Sequence, residues 1–235
     1  MFSRSAHLYD AIYSFKDYAG EAETLRALVE ERAPGARSLL DVACGTGKHL
    51  AELRAWYEVE GVDLDPALLA IARDRLPGVP LHEGDMVDFD LGREFDVVTC
   101  LFSSIAYVVT PERLAAATAA LARHVAPGGL LLVEPWILPE QWVPDHIGAV
   151  FVDEPELKVA RINSHGGTPV ADVLVMDFAY LVGTPGRVEH FTEGHEVGMF
   201  TREQYLGAVE AAGLAAEWIE GGLIGRGLAL GTRGA

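Results

Sequence analysis

Nine residues, Leu39-Leu40-Asp41-Val42-Ala43-Cys44-Gly45-Thr46-Gly47, carry the strongest chemical signal in the chain. An apolar run meets an acid, then a Gly-x-Gly turn, then Lys48-His49-Leu50, which opens a helix. Glycine at such a turn lets backbone approach a ligand at distances that a Cβ forbids, so Ala43, Gly45 and Gly47 are the expected points of approach. The pattern departs from the dinucleotide fingerprint, because no third glycine follows and Asp41 would repel a pyrophosphate. A glycine loop with a carboxylate suits a ligand that carries positive charge. S-adenosylmethionine, with its sulfonium and ammonium groups, is such a ligand. The bland alternative is an ordinary strand–helix turn.

In an open parallel sheet ligands bind beyond the carboxyl ends of the strands, so the other strand ends are the next places to look. Asp63, 18 residues past Gly45 and followed by Leu64, is placed to accept hydrogen bonds from both ribose hydroxyls. In Glu83-Gly84-Asp85-Met86, Asp85 can accept from an adenine amino group while Met86 packs on the ring; otherwise Asp85 is a turn acid. Leu101 and Phe102 follow the fourth strand, where backbone and ring would surround a methionine portion and its methyl. Phe102 and Tyr107 are equally readable as core aromatics. Trp136 and Trp142 fall where a substrate roof belongs, either stacking on a flat acceptor or only packing. His124 ends an alanine-rich helix, where histidine often serves the helix dipole and cap, or else works as a base. Tyr9, Tyr13 and Tyr18 cluster near the N-terminus, either closing over the site or packing. Cys44 reads as a loop filler, since nothing around it activates a thiol.

These residues need a frame, and the sequence supplies one. Helix is expected over 18–31, with Leu25, Leu28 and Val29 at helical spacing, and Pro34-Gly35 as its stop. Strands over 38–42, 59–62, 80–83, 95–100 and 130–134 then alternate with helices over 48–54, 66–75 and 111–124, with Pro127-Gly128-Gly129 as a break. Near-continuous apolar strands in that alternation predict an α/β fold: a Rossmann-like, seven-stranded, mostly parallel sheet covered by helices on both faces. From about 147 to 199 polar and apolar residues mix in segments 157–162, 171–180 and 188–197, separated by turns at His165-Gly166-Gly167 and Gly183 to Gly186. That pattern predicts an inserted antiparallel β-layer over the site. A helix capped at Thr201 and strands over 217–220 and 227–231 complete one domain, divided into a helical lid (1–36), a cofactor core (37–146), the inserted layer (147–199) and a final portion (200–235).

Composition narrows the partners. With 18 basic and 35 acidic residues the net charge is −17, which disfavours nucleic acid and anionic membranes. Apolar runs fall short of a membrane span, and the first seven residues lack the apolar core of a secretory signal, so cytoplasm is expected. Two cysteines without ligand spacing predict neither a zinc site nor a disulfide framework.

The whole chain resembles the class I S-adenosylmethionine-dependent methyltransferases, through the 39–47 motif, Asp63, Asp85 and Pro127-Gly128-Gly129 in their order. More narrowly it is similar to the nucleotide-linked amino-sugar N,N-dimethyltransferases that make sugars of the desosamine and mycaminose type. The resemblance lies in Lys16-Asp17-Tyr18-Ala19, the 38–47 stretch, Gly84-Asp85-Met86, Phe102-Ser103-Ser104, Arg123-His124, Val133-Glu134-Pro135-Trp136, Glu220-Gly221-Gly222 and Gly225-Arg226-Gly227. It implies a last strand antiparallel to the rest, a β-layer over the substrate, a homodimer, and amine deprotonation assisted by His124 and Tyr13. It also implies Tyr18 beside the cofactor, with Tyr9, Ser103, Trp136, Arg161 and Arg226 facing the acceptor. The chain departs at Ile137, where that family tends to carry a second aromatic. Its Asn163-Ser164-His165-Gly166-Gly167 is short of positive charge, leaving Arg161, Arg226 and Lys158 to meet a pyrophosphate. The expected function is methyl transfer to a small molecule in natural-product biosynthesis, with an amino-sugar nucleotide as first acceptor. An aromatic or indolic acceptor methylated at C, N or O is the second reading, and a non-catalytic cofactor-binding regulator the third.

Overall fold

The computed structural model describes residues 4–165 and 173–235. Its elements are α1 (Tyr9–Ile12), α2 (Tyr18–Arg32), β1 (Ser38–Val42), α3 (Lys48–Leu53), β2 (Glu58–Asp63), α4 (Pro66–Arg75), β3 (Leu81–Glu83), β4 (Phe95–Cys100), α5 (Pro111–Arg123) and β5 (Val125–Val133). Then come β6 (Ile147–Glu154), β7 (Leu157–His165), β8 (Val173–Thr184), β9 (Arg187–Gly198), α6 (Arg202–Ala211), β10 (Ala215–Ile219) and β11 (Leu228–Thr232).

One sheet has seven strands in the order β10-β11-β5-β4-β1-β2-β3, and β11 runs antiparallel to both its neighbours. The order reverses beside β1, which pairs in parallel with β2 on one side and β4 on the other, so the ligand crevice opens above β1 and β4. Burial on both sides explains the apolar strands: Leu40, Val42 and Val98 enter the core under α5 and α6, while Leu39, Val97 and Leu132 enter the one under α2 and α3. Helix starts follow local chemistry. Thr110 and Asp65 accept backbone N–H bonds ahead of a proline, and Thr201 with Gln204 forms a capping box. Strand β5 starts at Val125, earlier than the expected 130. Val125 already pairs with Phe95, and the register then shifts so that Leu130 meets Val97, with Pro127-Gly128-Gly129 bulging between.

The insertion forms a second, four-stranded antiparallel sheet, β6-β7-β8-β9. Strand β6 was not separately legible: its burial alternates, but its outward positions hold Ile147, Ala149 and Phe151, so polar and apolar residues do not. The inward rows of β8 and β9 pack on Leu8, Ile12 and Ala106, which joins this layer to the N-terminal segment. The Gly166-Gly167 turn and the start of segment 171–180 lie outside the described residues.

Candidate active site

Two cavities meet above β1 and β4. The smaller, about 370 Å³, is lined by Ala43, Gly45, Asp63, Leu64, Asp85 and Met86, and closed by Tyr9, Ser104, Tyr107 and Arg113. These are six of the residues expected to hold a cofactor. Gly45 shows why its type matters. It has φ +56, and a Cβ there would stand in the cavity with no protein atom within 4 Å. Gly47, by contrast, has φ +74 and is closed by packing, since a Cβ would lie 2.7 Å from Leu76 and 3.3 Å from Ala72. Its role is to let α3 start against α4 rather than to meet a ligand, which corrects the expectation.

Asp63 is buried, with Oδ2 accepting the Gly45 N–H at 2.7 Å and Oδ1 accepting the Asp65 N–H at 2.8 Å. Burial pushes its carboxyl above the usual range against those bonds. Asp85 accepts from the Val87 N–H at 3.2 Å and lies 3.3 Å from Arg113. Asp41 is 2% exposed and lines neither cavity. Its Oδ1 accepts from the Thr99 hydroxyl at 2.7 Å on the neighbouring strand, and burial raises its pKa to about 7. Leu101 is likewise buried behind the wall. Tyr18 lines neither cavity either; it packs edge-on against His49, with Lys16 and Lys48 each 5.3 Å from its ring. These three expectations are corrected: Asp41 is held by the neighbouring strand, Leu101 packs into the core under α2 and α3, and Tyr18 packs on His49 at the start of α2.

The larger cleft, about 790 Å³, is lined by Tyr13, Phe102, Ser103, Trp136, Arg161 and Arg226 among others, and shares Tyr9, Ser104 and Tyr107 with the smaller cavity. All the residues expected to face the acceptor therefore converge, and Phe102, expected beside the cofactor, lines this cleft and not the smaller cavity, which corrects that expectation. Arg161, 8% exposed on the inner face of β7, donates through one NH group to the Tyr13 hydroxyl at 3.0 Å, and its guanidinium lies 5.2 Å from the rings of Tyr13 and Phe178. Its Nε has no hydrogen-bond partner among the described residues. Arg226 donates to Ser103 Oγ at 3.1 Å. Lys158 is different: exposed, it pairs with Asp153 across the β6–β7 hairpin and lines neither cavity.

His124 is not at this site. It precedes β5, at the amino end of the sheet, opposite the strand ends that bear the cavities. It is 1% exposed, with Nδ1 at 2.7 Å from the Ala120 carbonyl, Nε2 accepting from the Leu91 N–H at 2.9 Å, and its ring stacked on Phe89. A ring held this way caps a helix and packs a loop; the expectation of a base at this position is overturned.

Several site residues escaped the sequence reading. Asn163, Met176 and Phe178 line the acceptor cleft from the second sheet, and their period-two alternation with Arg161 was the available signal. Beneath the cleft, Glu21 accepts from Lys16 and from His49 Nε2 at 2.9 Å. Burial alone would raise Glu21, but those bonds outweigh it and hold it below the ordinary range, while burial lowers His49. Tyr107, whose hydroxyl lies 2.9 Å from His195 Nδ1, stands where the two cavities join, and burial pushes its phenol up. Ala43, Phe102 and Ser103 have φ of +60, +52 and +61, so left-handed non-glycine backbone gathers at the ends of β1 and β4, where strain is often kept for function. Among the described residues no group of three or more His, Cys, Asp or Glu is arranged to hold a metal.

The chain matches known proteins in the same terms. The methyltransferase-domain family matches residues 39–129. Over 234 residues the chain is 46% identical to a dTDP-3-amino-3,6-dideoxy-alpha-D-glucopyranose N,N-dimethyltransferase of Streptomyces fradiae, covering 98% of this chain and 91% of that one. Its fold is similar to that of DesVI of Streptomyces venezuelae, with a TM-score of 0.91 at 42% identity and 98% of each chain covered. It is also similar to S-adenosylmethionine-bound CalS10, an amino pentose methyltransferase of Micromonospora echinaspora, with a TM-score of 0.86 at 42% identity and 96% of each covered. A glycine-faced cavity, an adjoining larger cleft and similarity over nearly the full length lead to one assignment: the chain belongs to the S-adenosylmethionine-dependent methyltransferases, in the family that includes these amino-sugar methyltransferases.

Proposed function

We propose that this enzyme methylates the amino nitrogen of a sugar carried on a nucleoside diphosphate. The carrying observation is Arg161. A guanidinium buried to 8% exposure, with an unpartnered Nε and no carboxylate within ion-pair distance among the described residues, is costly unless an anion meets it. In a chain of net charge −17 such a cation is not left unpaired for want of acids. Arg226 lines the same cleft, and two planar guanidiniums suit the oxygens of a diphosphate. The Streptomyces fradiae relative acts on a dTDP-linked amino sugar, which offers both an amine and a diphosphate.

S-adenosylmethionine, when bound, supplies the activated methyl group. The residues of the smaller cavity fit it: Asp63 keeps lone pairs for ribose hydroxyls beyond the two N–H bonds it accepts, and Met86 and Leu64 offer apolar walls for adenine. Tyr9, Ser104 and Tyr107, which line both cavities, define the passage between donor and acceptor. The acceptor amine must shed a proton before its lone pair is available. Tyr13 faces the acceptor cleft with a hydroxyl whose oxygen already accepts from Arg161, which leaves its O–H and a second lone pair to orient the nitrogen of an amine that has given its proton to solvent before the lid closes. The N-terminal portion acts as a lid. Glu193 of the second sheet accepts from the Arg4 and Ser5 N–H groups and the Ser5 hydroxyl, and Asp10 accepts from Thr46 and Arg75 at the glycine loop. The first turns of the lid are thus tied to the second sheet and to the glycine loop, which helps exclude water from the site.

We also infer that the enzyme is a cytoplasmic homodimer without a nucleic-acid or membrane partner. Outward-facing Phe151, Ala160 and Leu181 lie in one cross-strand row of the second sheet, next to Ala149, Ile162 and Ala179. With Phe151 72% exposed, this apolar face suits a second copy. The net charge argues against anionic surfaces, and among the described residues no helix is long and apolar enough to cross a membrane.

The test of function is a product-mass screen with isotopically labelled methyl donor against nucleoside-diphosphate amino sugars and aromatic amines. A sugar nucleotide gaining one or two labelled methyls supports the reading. Label on an indole or another aromatic alone overturns it.

A further inference from the structure

We propose that Glu134 is a positioning residue for methyl transfer, acting through Phe102 and Ser103 rather than on a ligand. Glu134 is the first residue past β5, and its N–H donates to the Cys100 carbonyl at 2.9 Å, so it stands beside the first residues past β4. It is 0% exposed, and its Oε2 accepts the Phe102 N–H at 2.6 Å. The next residue completes a clamp, because the Pro135 carbonyl accepts from the Ser103 hydroxyl at 2.8 Å. Phe102 and Ser103 are the two consecutive left-handed residues of this turn, with φ +52 and +61. Neither is glycine, so the conformation needs outside anchors, and a short bond to a buried carboxyl oxygen plus a hydroxyl bond supply them.

What the clamp holds is the wall of the acceptor cleft. Locked in this turn, the Phe102 ring stands edge-on to Tyr13 at 5.0 Å with Lys16 Nζ 4.3 Å from its centre, and Ser103 Oγ receives Arg226. A drift of the turn would move the ring, the tyrosine and the arginine together. The carboxylate is otherwise a poor structural choice. Its Oε1 is buried without a hydrogen-bond partner among the described residues. Burial pushes the carboxyl upward, against the Phe102 N–H bond first and then the pull of Lys16 and Arg226. An apolar side chain would pack there at lower cost, so what the acid provides is the strong acceptor for Phe102.

This inference rests on the acceptor cleft proposed above, but its test does not depend on which acceptor is right. Glu134→Gln keeps an oxygen for the Phe102 N–H; Glu134→Ala does not. The Phe102 amide proton is read by NMR in the full chain, affinity for S-adenosylhomocysteine by calorimetry, and kcat and KM with whichever acceptor the wild type methylates. We expect the amide resonance to lie downfield in the wild type, intermediate in the Gln variant and upfield in the Ala variant. Cofactor affinity should not change. We expect kcat to fall on the order of 10²-fold in the Ala variant, as for a misplaced active-site wall, with most of it recovered in the Gln variant. Wild-type kcat in the Ala variant, or a Gln variant as slow as Ala, overturns the proposal. Should the Ala variant not fold, an unmoved Phe102 amide in a folded Gln variant overturns it too. If no acceptor turns over in the wild type, the functional reading fails while the amide measurement still decides this one.

Discussion

Replacing Asp41 with asparagine should stabilise the enzyme above neutrality and leave it nearly unchanged in acid. The carboxyl is 2% exposed and bonded by the Thr99 hydroxyl, and burial lifts its pKa from 3.8 to about 7. Below pH 3.8 folded and unfolded chains both hold the proton, and the favourable balance is fully present. As pH climbs toward 7 the unfolded carboxyl ionises while the folded one resists, so stability is lost through that window and levels off beyond it. A shift of about 3 units corresponds to about 4 kcal/mol at the plateau, with a slope near ~1.4 kcal/mol per pH unit on the way. Asparagine is close in shape, keeps an oxygen for Thr99 and does not titrate. Urea unfolding of both proteins at several pH values between 4 and 8 gives the difference directly, and the repulsion of the −17 background cancels in it. A growing advantage for the variant as pH rises is the expected outcome. A difference that stays flat across the range would refute the assignment of a protonated, buried Asp41.

Other perturbations separate the site from its scaffold. His124→Ala should cost about 3 kcal/mol in urea unfolding, from a lost buried ring and an unpaired Leu91 N–H, while turnover per folded molecule stays at the wild-type level; a large drop in kcat with an intact fold would restore it as a base. Asp63→Ala should weaken S-adenosylhomocysteine binding by roughly 10²-fold, since ribose hydroxyls lose a charged acceptor; calorimetry reads this, and unaltered affinity would exclude the ribose role. Charging the apolar face of the second sheet, as Phe151→Glu with Leu181→Glu, should yield a monomer by light scattering. A wild type that is already monomeric at working concentration rejects the dimer.

The lining of the smaller cavity was legible in the linear sequence because the turns that form it are local. Ala43, Gly45, Asp63 and Asp85 sit at or just past the ends of β1, β2 and β3, and a parallel sheet brings such strand ends to one edge whatever the side chains elsewhere do. What could not be read locally was which way each residue of a motif points. Gly45 and Gly47 look alike in sequence, yet one opens on the cavity and the other is closed by Leu76 and Ala72, because α4 packs over the second. His124 and Arg161 make the same point across the molecule. The helix ending at His124 was foreseen, but the strand begins directly after it and chain direction puts it at the amino end of the sheet, where its ring is consumed by Ala120 and Leu91. Arg161 gains its meaning only when the inserted sheet folds back and buries it against Tyr13, 148 residues away in the chain. Sequence therefore determined the methyl donor, since the motif that marks the family is one local stretch of chain, Leu39 to Gly47. Tertiary packing decided the acceptor cleft, because side chains from the lid, the main sheet and the insertion must meet to form it.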